Sequence, residues 1–240
     1  MIKKIKALIA ENRTFHKEQT NQLKELEWAH VYHDSIRGYS FLEDLQLNVG
    51  RWAGNYAFFY VLHRVLLDYK PEKIVEFGLG ESSKFISAYL NNMLLNSSHT
   101  IIEQNESWKH AFESKFELSK KSEIKIGDLI EKHIKGFKTT QYNNIEQLIP
   151  LKPDLYVVDG PIGSPRYSRY DIVNLACDFE PSDEFIIIFD DCNREGEVDT
   201  LKDLYHVLKS KDIAFVKAKY QGVKSVAVIA TMKYRFVTTL

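Results

Sequence analysis

A short apolar strand that runs straight into glycines constrains this chain more than any other stretch: Lys73-Ile-Val-Glu-Phe-Gly-Leu-Gly-Glu-Ser-Ser83. Ile74, Val75 and Phe77 read as a buried strand of the kind found in parallel sheets. Gly78 and Gly80 follow, then Ser82, Ser83 and a helical run from Lys84 to Leu95. A strand that turns on glycines into a helix brings bare backbone N–H groups up to a ligand. The same turn also serves chains that bind nothing there. The dinucleotide fingerprint needs a third glycine at position 83, where this chain has Ser83.

The 240 residues, 44% of them hydrophobic, suffice for one large core with a small appendage. With 32 basic against 33 acidic residues the net charge is −1, so no global field draws nucleic acid or anionic lipid. Two cysteines, Cys177 and Cys192, make no disulfide scaffold and fit reduced thiols in a cytoplasm. The basic start is followed only by the short apolar run Ala7 to Ala10, which is too short for a signal peptide. No apolar stretch approaches the roughly 18 to 20 residues of a spanning helix. The expectation is a soluble cytoplasmic protein with no nucleic-acid partner and no membrane insertion.

Residues 1–50 are polar and interrupted, with Leu23, Leu26 and Trp28 forming a short helical stripe. They read as an N-terminal helical extension that serves as a lid or a contact in a homo-oligomer. His30 and His33 share a helical face but lack further metal ligands, so they read as solvated. The body, 51–240, opens with an apolar helix from Trp52 to Tyr69 that Pro71 closes. Arg51 and Trp52 stand where that helix start meets either a ligand or the body. Strands then fall at Thr100 to Glu103, Glu123 to Ile126, Leu155 to Val158 and Phe185 to Phe189, and helices at 105–118, 170–179 and 201–208. The segment from 127 to about 150 fits helix and strand alike. Ile213 to Lys219 and Ser225 to Thr231 form a closing hairpin around Gly222. Alternating strands and helices argue a mostly parallel α/β sheet covered on both faces, with an antiparallel C-terminal hairpin at one edge.

In such a sheet, ligands bind beyond the carboxyl ends of the strands, near the point where strand order reverses. The first strand delivers Gly78 and Gly80. The second delivers Glu103, whose two oxygens suit a pair of ribose hydroxyls. Asp128 follows the third, where it either reaches a ring on the same ligand or sits in a plain turn. The fourth strand delivers Asp159, and the fifth delivers Asp190 and Asp191. Three carboxylates on one edge are costly unless a cation or a basic group neutralises them, and an oxygen-only set suits Mg²⁺ or a similar ion. Turn capping is the alternative for aspartates at strand ends, and for Asp159, Asp190 and Asp191 the functional reading is preferred to it. Arg166, Arg169 and Arg194 flank the same edge, and guanidinium forks suit an acidic substrate as well as surface ion pairs.

Four motifs occur in a meaningful order: Val75-Glu-Phe-Gly-Leu-Gly80, Ile102-Glu-Gln-Asn-Glu-Ser-Trp108, Val157-Val-Asp-Gly-Pro-Ile-Gly163 and Asp191-Cys-Asn-Arg-Glu-Gly-Glu197. An acid on the strand followed by Gly-x-Gly resembles the first motif of class I S-adenosylmethionine-dependent methyltransferases. The whole set, over about residues 73 to 200, resembles the glucuronoxylan 4-O-methyltransferase family of plants and its bacterial relatives. Asp159 with Asp190 and Asp191 is also similar to the metal triad of macrolide and aminocoumarin sugar O-methyltransferases. Gly160 departs from a frequent alanine, and Gln104 and Asn105 replace acidic residues. The N-terminal 70 residues carry none of the resemblance. It implies a Rossmann-like, seven-stranded methyltransferase fold and an enzyme that methylates a sugar hydroxyl, on a uronic acid or other acidic glycan unit. It also implies S-adenosylmethionine held by Glu76, Gly78, Gly80, Ser82, Glu103 and Asp128. Asp159, Asp190 and Asp191 would be catalytic and hold a divalent cation, and Arg166, Arg169 and Arg194 would bind the acceptor. The rival readings are an NAD(P)-dependent oxidoreductase and a catalytically silent binding module on the same fold.

Overall fold

The computed structural model describes residues 2–50 and 52–240. Arg51 therefore lies outside the described residues, while its neighbour Trp52 is 98% exposed and anchors nothing. The apolar helix begins later than the sequence implies, as α3 (Tyr56–Tyr69), because the Asn55 side chain accepts the Phe58 N–H and caps it. Lys70 in the left-handed conformation ends it, just before Pro71.

Two helices precede it: α1 (Ile2–Ser35) and the single turn α2 (Ser40–Glu43). Leu23 and Leu26 do not face the body; both are exposed. Trp28 is the anchor instead: it packs on Tyr60 and Tyr220 and donates its indole N–H to the Gln221 carbonyl (2.9 Å). Three residues earlier, the Glu25 carboxylate accepts from the N–H groups of Tyr56 and Val223 and from the Asn55 amide.

The body is one seven-stranded sheet built from β1 (Lys73–Phe77), β2 (Ser98–Glu103), β3 (Ser122–Ile126), β6 (Leu155–Val158), β7 (Ile186–Phe189), β8 (Phe215–Gln221) and β9 (Ser225–Thr231). Their spatial order is β3-β2-β1-β6-β7-β9-β8, parallel throughout except for β9. Strand order reverses between β1 and β6, where Phe77 pairs with Val158. That leaves a crevice beyond their carboxyl ends. The central strands are apolar on both faces, so each face needs a cover. Ile74, Leu155 and Val157 point to α1, α3 and α4 (Glu81–Asn92). Val75, Tyr156 and Val158 point to α7 (Asp171–Ala176) and α8 (Glu195–Ser210). Helix α5 (Glu106–Glu113) covers the β2–β3 edge through Phe112.

The segment that the sequence left open, 127–150, forms the separate hairpin β4 (Leu129–Ile134) and β5 (Phe137–Tyr142), then the short helix α6 (Ile145–Leu148). Lys135 and Gly136 at its turn both have positive φ, as a tight hairpin of this hand requires. The hairpin lies over the loop after β6, since Thr139 donates to the Tyr167 carbonyl and Thr140 N–H to Ser164. A 3₁₀ segment, Met232–Thr239, closes the chain by burying Tyr234 and Val237. Among the described residues no helix is long and apolar enough to cross a membrane.

Candidate functional site

The turn after β1 is glycine for steric reasons. Gly78 has φ +99°, and a Cβ on Gly160 would stand 2.9 Å from the Gly78 nitrogen. The β1 turn and the loop after β6 therefore touch backbone to backbone, which brings the glycine turn against Asp159. Gly80 differs: among the described residues nothing lies within 4 Å of where its Cβ would be. That open space faces the start of α4 and suits a ligand that approaches the backbone.

Glu76 does not face this space. It is fully buried, and it accepts hydrogen bonds from Ser82 and from Ser83 (2.7 Å for Ser83). His99 Nε2 lies 3.1 Å from the same carboxylate but is poorly aligned for a hydrogen bond. Glu76 and Ser82, expected on the cofactor, thus face each other and lock the end of β1 to α4. Buried carboxylates require such partners.

Glu103 stands at the tip of β2 as expected, beside the glycine turn. One oxygen accepts from Leu79 N–H (3.0 Å) and the other from Gln104 and Asn105 N–H (2.8 Å each). A carboxylate has about four acceptor positions, so about one is left for a ligand hydroxyl. Trp108, from α5, donates its indole N–H to the Leu79 carbonyl (2.8 Å) while the residue as a whole stays about half exposed. The sequence reading quoted it only as part of a motif. An aromatic residue five positions past the strand-end acid was the signal. Asp128 is exposed, and only its backbone is tied down, by Asn143.

Asp159, Asp190 and Asp191 do converge: one carboxylate oxygen from each lies within 4.8 Å of the others. Asp191 has φ +59°, which turns its side chain back toward Asp159. Arg169 was expected on the acceptor. It is buried instead, with one guanidinium nitrogen 2.9 Å from both Asp159 and Asp191, because two inward-facing carboxylates there need a positive charge between them. Its pKa is pulled down by burial and raised further, on balance, by Asp159, Asp191, Asp190 and Glu197, so it stays charged. Arg194, half-exposed, reaches Asp191 (2.9 Å) and Glu197 (3.8 Å). Arg166 leaves the cluster, pairing with Asp199 and Glu195 and stacking on Phe137.

Lys224 was missed. It lies in the β8–β9 turn and reaches Asp191 (3.4 Å), Asp190 (3.9 Å) and the Ala53 carbonyl (2.9 Å). A hairpin whose first strand runs parallel to β7 must turn at this same edge, and that was its signal. Arg169, Arg194 and Lys224 therefore supply much of the positive charge that the sequence assigned to a metal. What they leave is Asp190. It is fully buried, and neither of its oxygens has a hydrogen-bond partner among the described residues. Burial first, then Asp159 and Asp191, push its carboxyl up to about 8. Burial and Asp191 likewise lift Asp159 to about 6 against the pull of Arg169. A groove of about 500 Å³ between Pro153 and Phe179 lies at the opposite, amino-terminal edge and takes no part.

No protein-family model matches the sequence, and no curated protein does. Among solved structures, the chain is similar to a Klebsiella pneumoniae protein provisionally named an O-methyltransferase, at 12% identity and TM-score 0.50 over 86% of this chain and 98% of that one. The fold is that of class I S-adenosylmethionine-dependent methyltransferases. Other likenesses are an O-methyltransferase of Bacillus cereus solved with SAH (12% identity, 88% and 91% coverage, TM-score 0.46) and the methyltransferase FkbM of Methylobacillus flagellatus (10% identity, TM-score 0.43). This chain aligns over 83% of its own length with FkbM and spans 60% of it. On a methyltransferase fold, the Gly80 opening and the free acceptor position of Glu103 fit a nucleoside-bearing methyl donor. The orphaned oxygens of Asp190 and the oxygen-only donor set fit a hard cation.

Proposed function

We propose that this chain transfers a methyl group from S-adenosylmethionine to a hydroxyl oxygen of a sugar, with a uronic acid or other acidic glycan unit as the acceptor. In this reading 51–240 carry the reaction and 1–50 are an extension. One observation carries it: the glycine turn and the aspartate cluster are in backbone contact through Gly78 and Gly160, so donor and acceptor sites adjoin. Fold alone would not suffice. The motifs shared with the glucuronoxylan family support the acidic sugar, as does Arg194, the arginine of the cluster that keeps exposed surface.

When bound, S-adenosylmethionine supplies a sulfonium methyl, and a divalent cation would supply a Lewis acid for the acceptor oxygen. Gly78 and Gly80 admit the methionine portion to bare backbone. Glu103 accepts a ribose hydroxyl, the Trp108 ring offers a face to the adenine, and exposed Asp128 is within the same strand-end row. Asp190, with the facing oxygens of Asp159 and Asp191, would hold the cation. Asp159, 21% exposed on its side chain, is the carboxylate of the cluster placed to take the proton of the acceptor hydroxyl. Holding donor and acceptor in line is the larger contribution.

Titration calorimetry with S-adenosylhomocysteine against NADH tests the donor; NADH binding alone would end the reading. A methyl-transfer assay on glucuronate-bearing glycans, with neutral glycans as controls, tests the acceptor.

A further inference from the structure

Three loops meet the aspartate cluster, and each carries an exposed apolar side chain. Ile162, 68% exposed, follows Asp159 on the loop after β6. Val223, 52% exposed, precedes Lys224 in the β8–β9 turn. Trp52, at 98%, lies on the strap between α2 and α3, and that strap is pinned on both sides of the crevice. On one side Asn48 gives its N–H (3.1 Å) and its amide (3.3 Å) to the carboxylate of Glu81, the first residue of α4, next to Gly80. On the other, the Ala53 carbonyl accepts from the Lys224 ammonium, which lies 3.4 Å from Asp191. Between the pins, Ala53 N–H donates to the Gly50 carbonyl (3.0 Å) and Gly50 N–H to the Gly54 carbonyl (2.9 Å). Trp52 therefore stands at the tip of a tight turn. From Asn48 to Ala53 the chain spans at most about 18 Å, so the strap keeps Trp52 close to the cluster and the glycine turn alike.

We propose that Trp52 is the stacking platform for the acceptor, with its indole against the C–H face of the pyranose while the charged cluster takes the hydroxyl edge. This rests on the sugar-acceptor reading above and names the residue that would hold the ring. An indole left in water forgoes the burial that makes tryptophan worth carrying. Trp28 and Trp108, by contrast, each donate the indole N–H to a backbone carbonyl of the body. A pyranose has the matching two-sidedness. Its C–H groups, made slightly positive by neighbouring oxygens, suit the negative face of an indole, and its hydroxyls and carboxylate suit charged side chains. A protein partner would need a contiguous apolar patch, whereas here Trp52, Ile162 and Val223 are interleaved with the charges of Asp159 and Lys224. Trp52 would position the acceptor without touching a reacting atom, so its loss falls on KM rather than on kcat.

The test uses the full chain, S-adenosylmethionine and a glucuronate-bearing oligosaccharide. Trp52→Ala should melt within about 2 °C of the parent, because so exposed a ring adds little to the fold. It should bind S-adenosylhomocysteine within about twofold of the parent and raise the acceptor KM at least about tenfold, with kcat nearly unchanged. Trp52→Phe should bring KM back to within about threefold of the parent, and Trp52→Leu should not, since only the first keeps a ring face. Iodide quenching gives a readout independent of turnover. With S-adenosylhomocysteine bound, the oligosaccharide should shield the part of the emission that Trp52→Ala lacks. If Trp52→Leu restores KM as well as Trp52→Phe does, plain apolar cover suffices and stacking is overturned. If the wild type methylates the oligosaccharide, yet Trp52→Ala keeps its KM or the emission stays unshielded, Trp52 is not the platform and the proposed function still stands. If the wild type neither binds nor methylates any glucuronate-bearing oligosaccharide, both are overturned.

Discussion

At the scale of single residues, the site is governed by how each carboxylate is satisfied. Glu103 is nearly saturated by backbone N–H groups, and in the proposed reading its remaining acceptor position takes a ribose hydroxyl. Glu103→Ala should weaken S-adenosylhomocysteine by roughly 1 to 3 kcal/mol in calorimetry, the usual loss for charged hydrogen bonds. Unchanged affinity would remove Glu103 from the donor site. Asp190 is the reverse, a buried carboxyl with no hydrogen-bond partner among the described residues and only the distant Lys224 ammonium (3.9 Å) facing it. Asp190→Asn relieves an unsatisfied charge, so in metal-free buffer at pH 8 the variant should melt no lower than the parent. It should also lose any rise in melting temperature on adding Mg²⁺, while binding S-adenosylhomocysteine as before. A retained Mg²⁺ response would place the cation elsewhere.

At the scale of elements, two glycines separate folding from binding. Gly160 lets the loop after β6 pass against the β1 turn, and a methyl group there meets backbone on the far side. Backbone cannot swing aside as a side chain can, so Gly160→Ala should cost about 1 to 3 kcal/mol in urea unfolding. Gly80 has extended backbone and open space around its Cβ position. Gly80→Ala should therefore cost less than about 1 kcal/mol of stability, mainly through its place at the start of α4. Its effect should appear as a loss of S-adenosylhomocysteine affinity of tenfold or more. If instead Gly80→Ala unfolds the chain and leaves binding intact, the opening beside it is not the donor site.

At the scale of the whole molecule, the charge cluster ties stability to pH. The Asp190 carboxyl is raised to about 8 by burial and its aspartate neighbours. Asp171, at the start of α7, is raised to about 7 by burial. An unfolded aspartate titrates lower, so between those values the folded chain binds more protons and loses stability as pH rises. Buried His63 works the other way: burial lowers it to about 4, so its contribution grows as pH rises toward its ordinary value and is complete above it. From about pH 6.5 to 8 only the falling contribution remains. Melting temperature in EDTA should thus decline across that window. A cation at the cluster competes with the protons, so added Mg²⁺ should raise it more at pH 8 than at pH 6.5. A flat profile, with or without Mg²⁺, would show that the cluster is neutralised by Arg169 and Lys224 alone.

The chain's own residues determined the layered sheet, because buried parallel strands such as Ile74 to Phe77 and Ile186 to Phe189 are unbroken apolar runs bounded by turn formers. They also determined the row of strand-end groups. Once strands run parallel, their carboxyl ends share one edge, and Gly78, Glu103, Asp159 and Asp190 must meet there. Tertiary structure decided what the local pattern left undetermined. Residues 127–150 alternate weakly, and their hairpin is fixed by contacts to Tyr167, Ser164 and Asp203, far along the chain. Arg169 turned inward because two carboxylates from other strands met it. Glu76 faced Ser82 and Ser83 because α4 folds back over its strand. Lys224 reached the cluster only through the antiparallel pairing of β8 with β9. A single residue's periodicity reports the face it lies on. Which partner neutralises its charge depends on chain brought from far away, and that is settled only when the sheet closes.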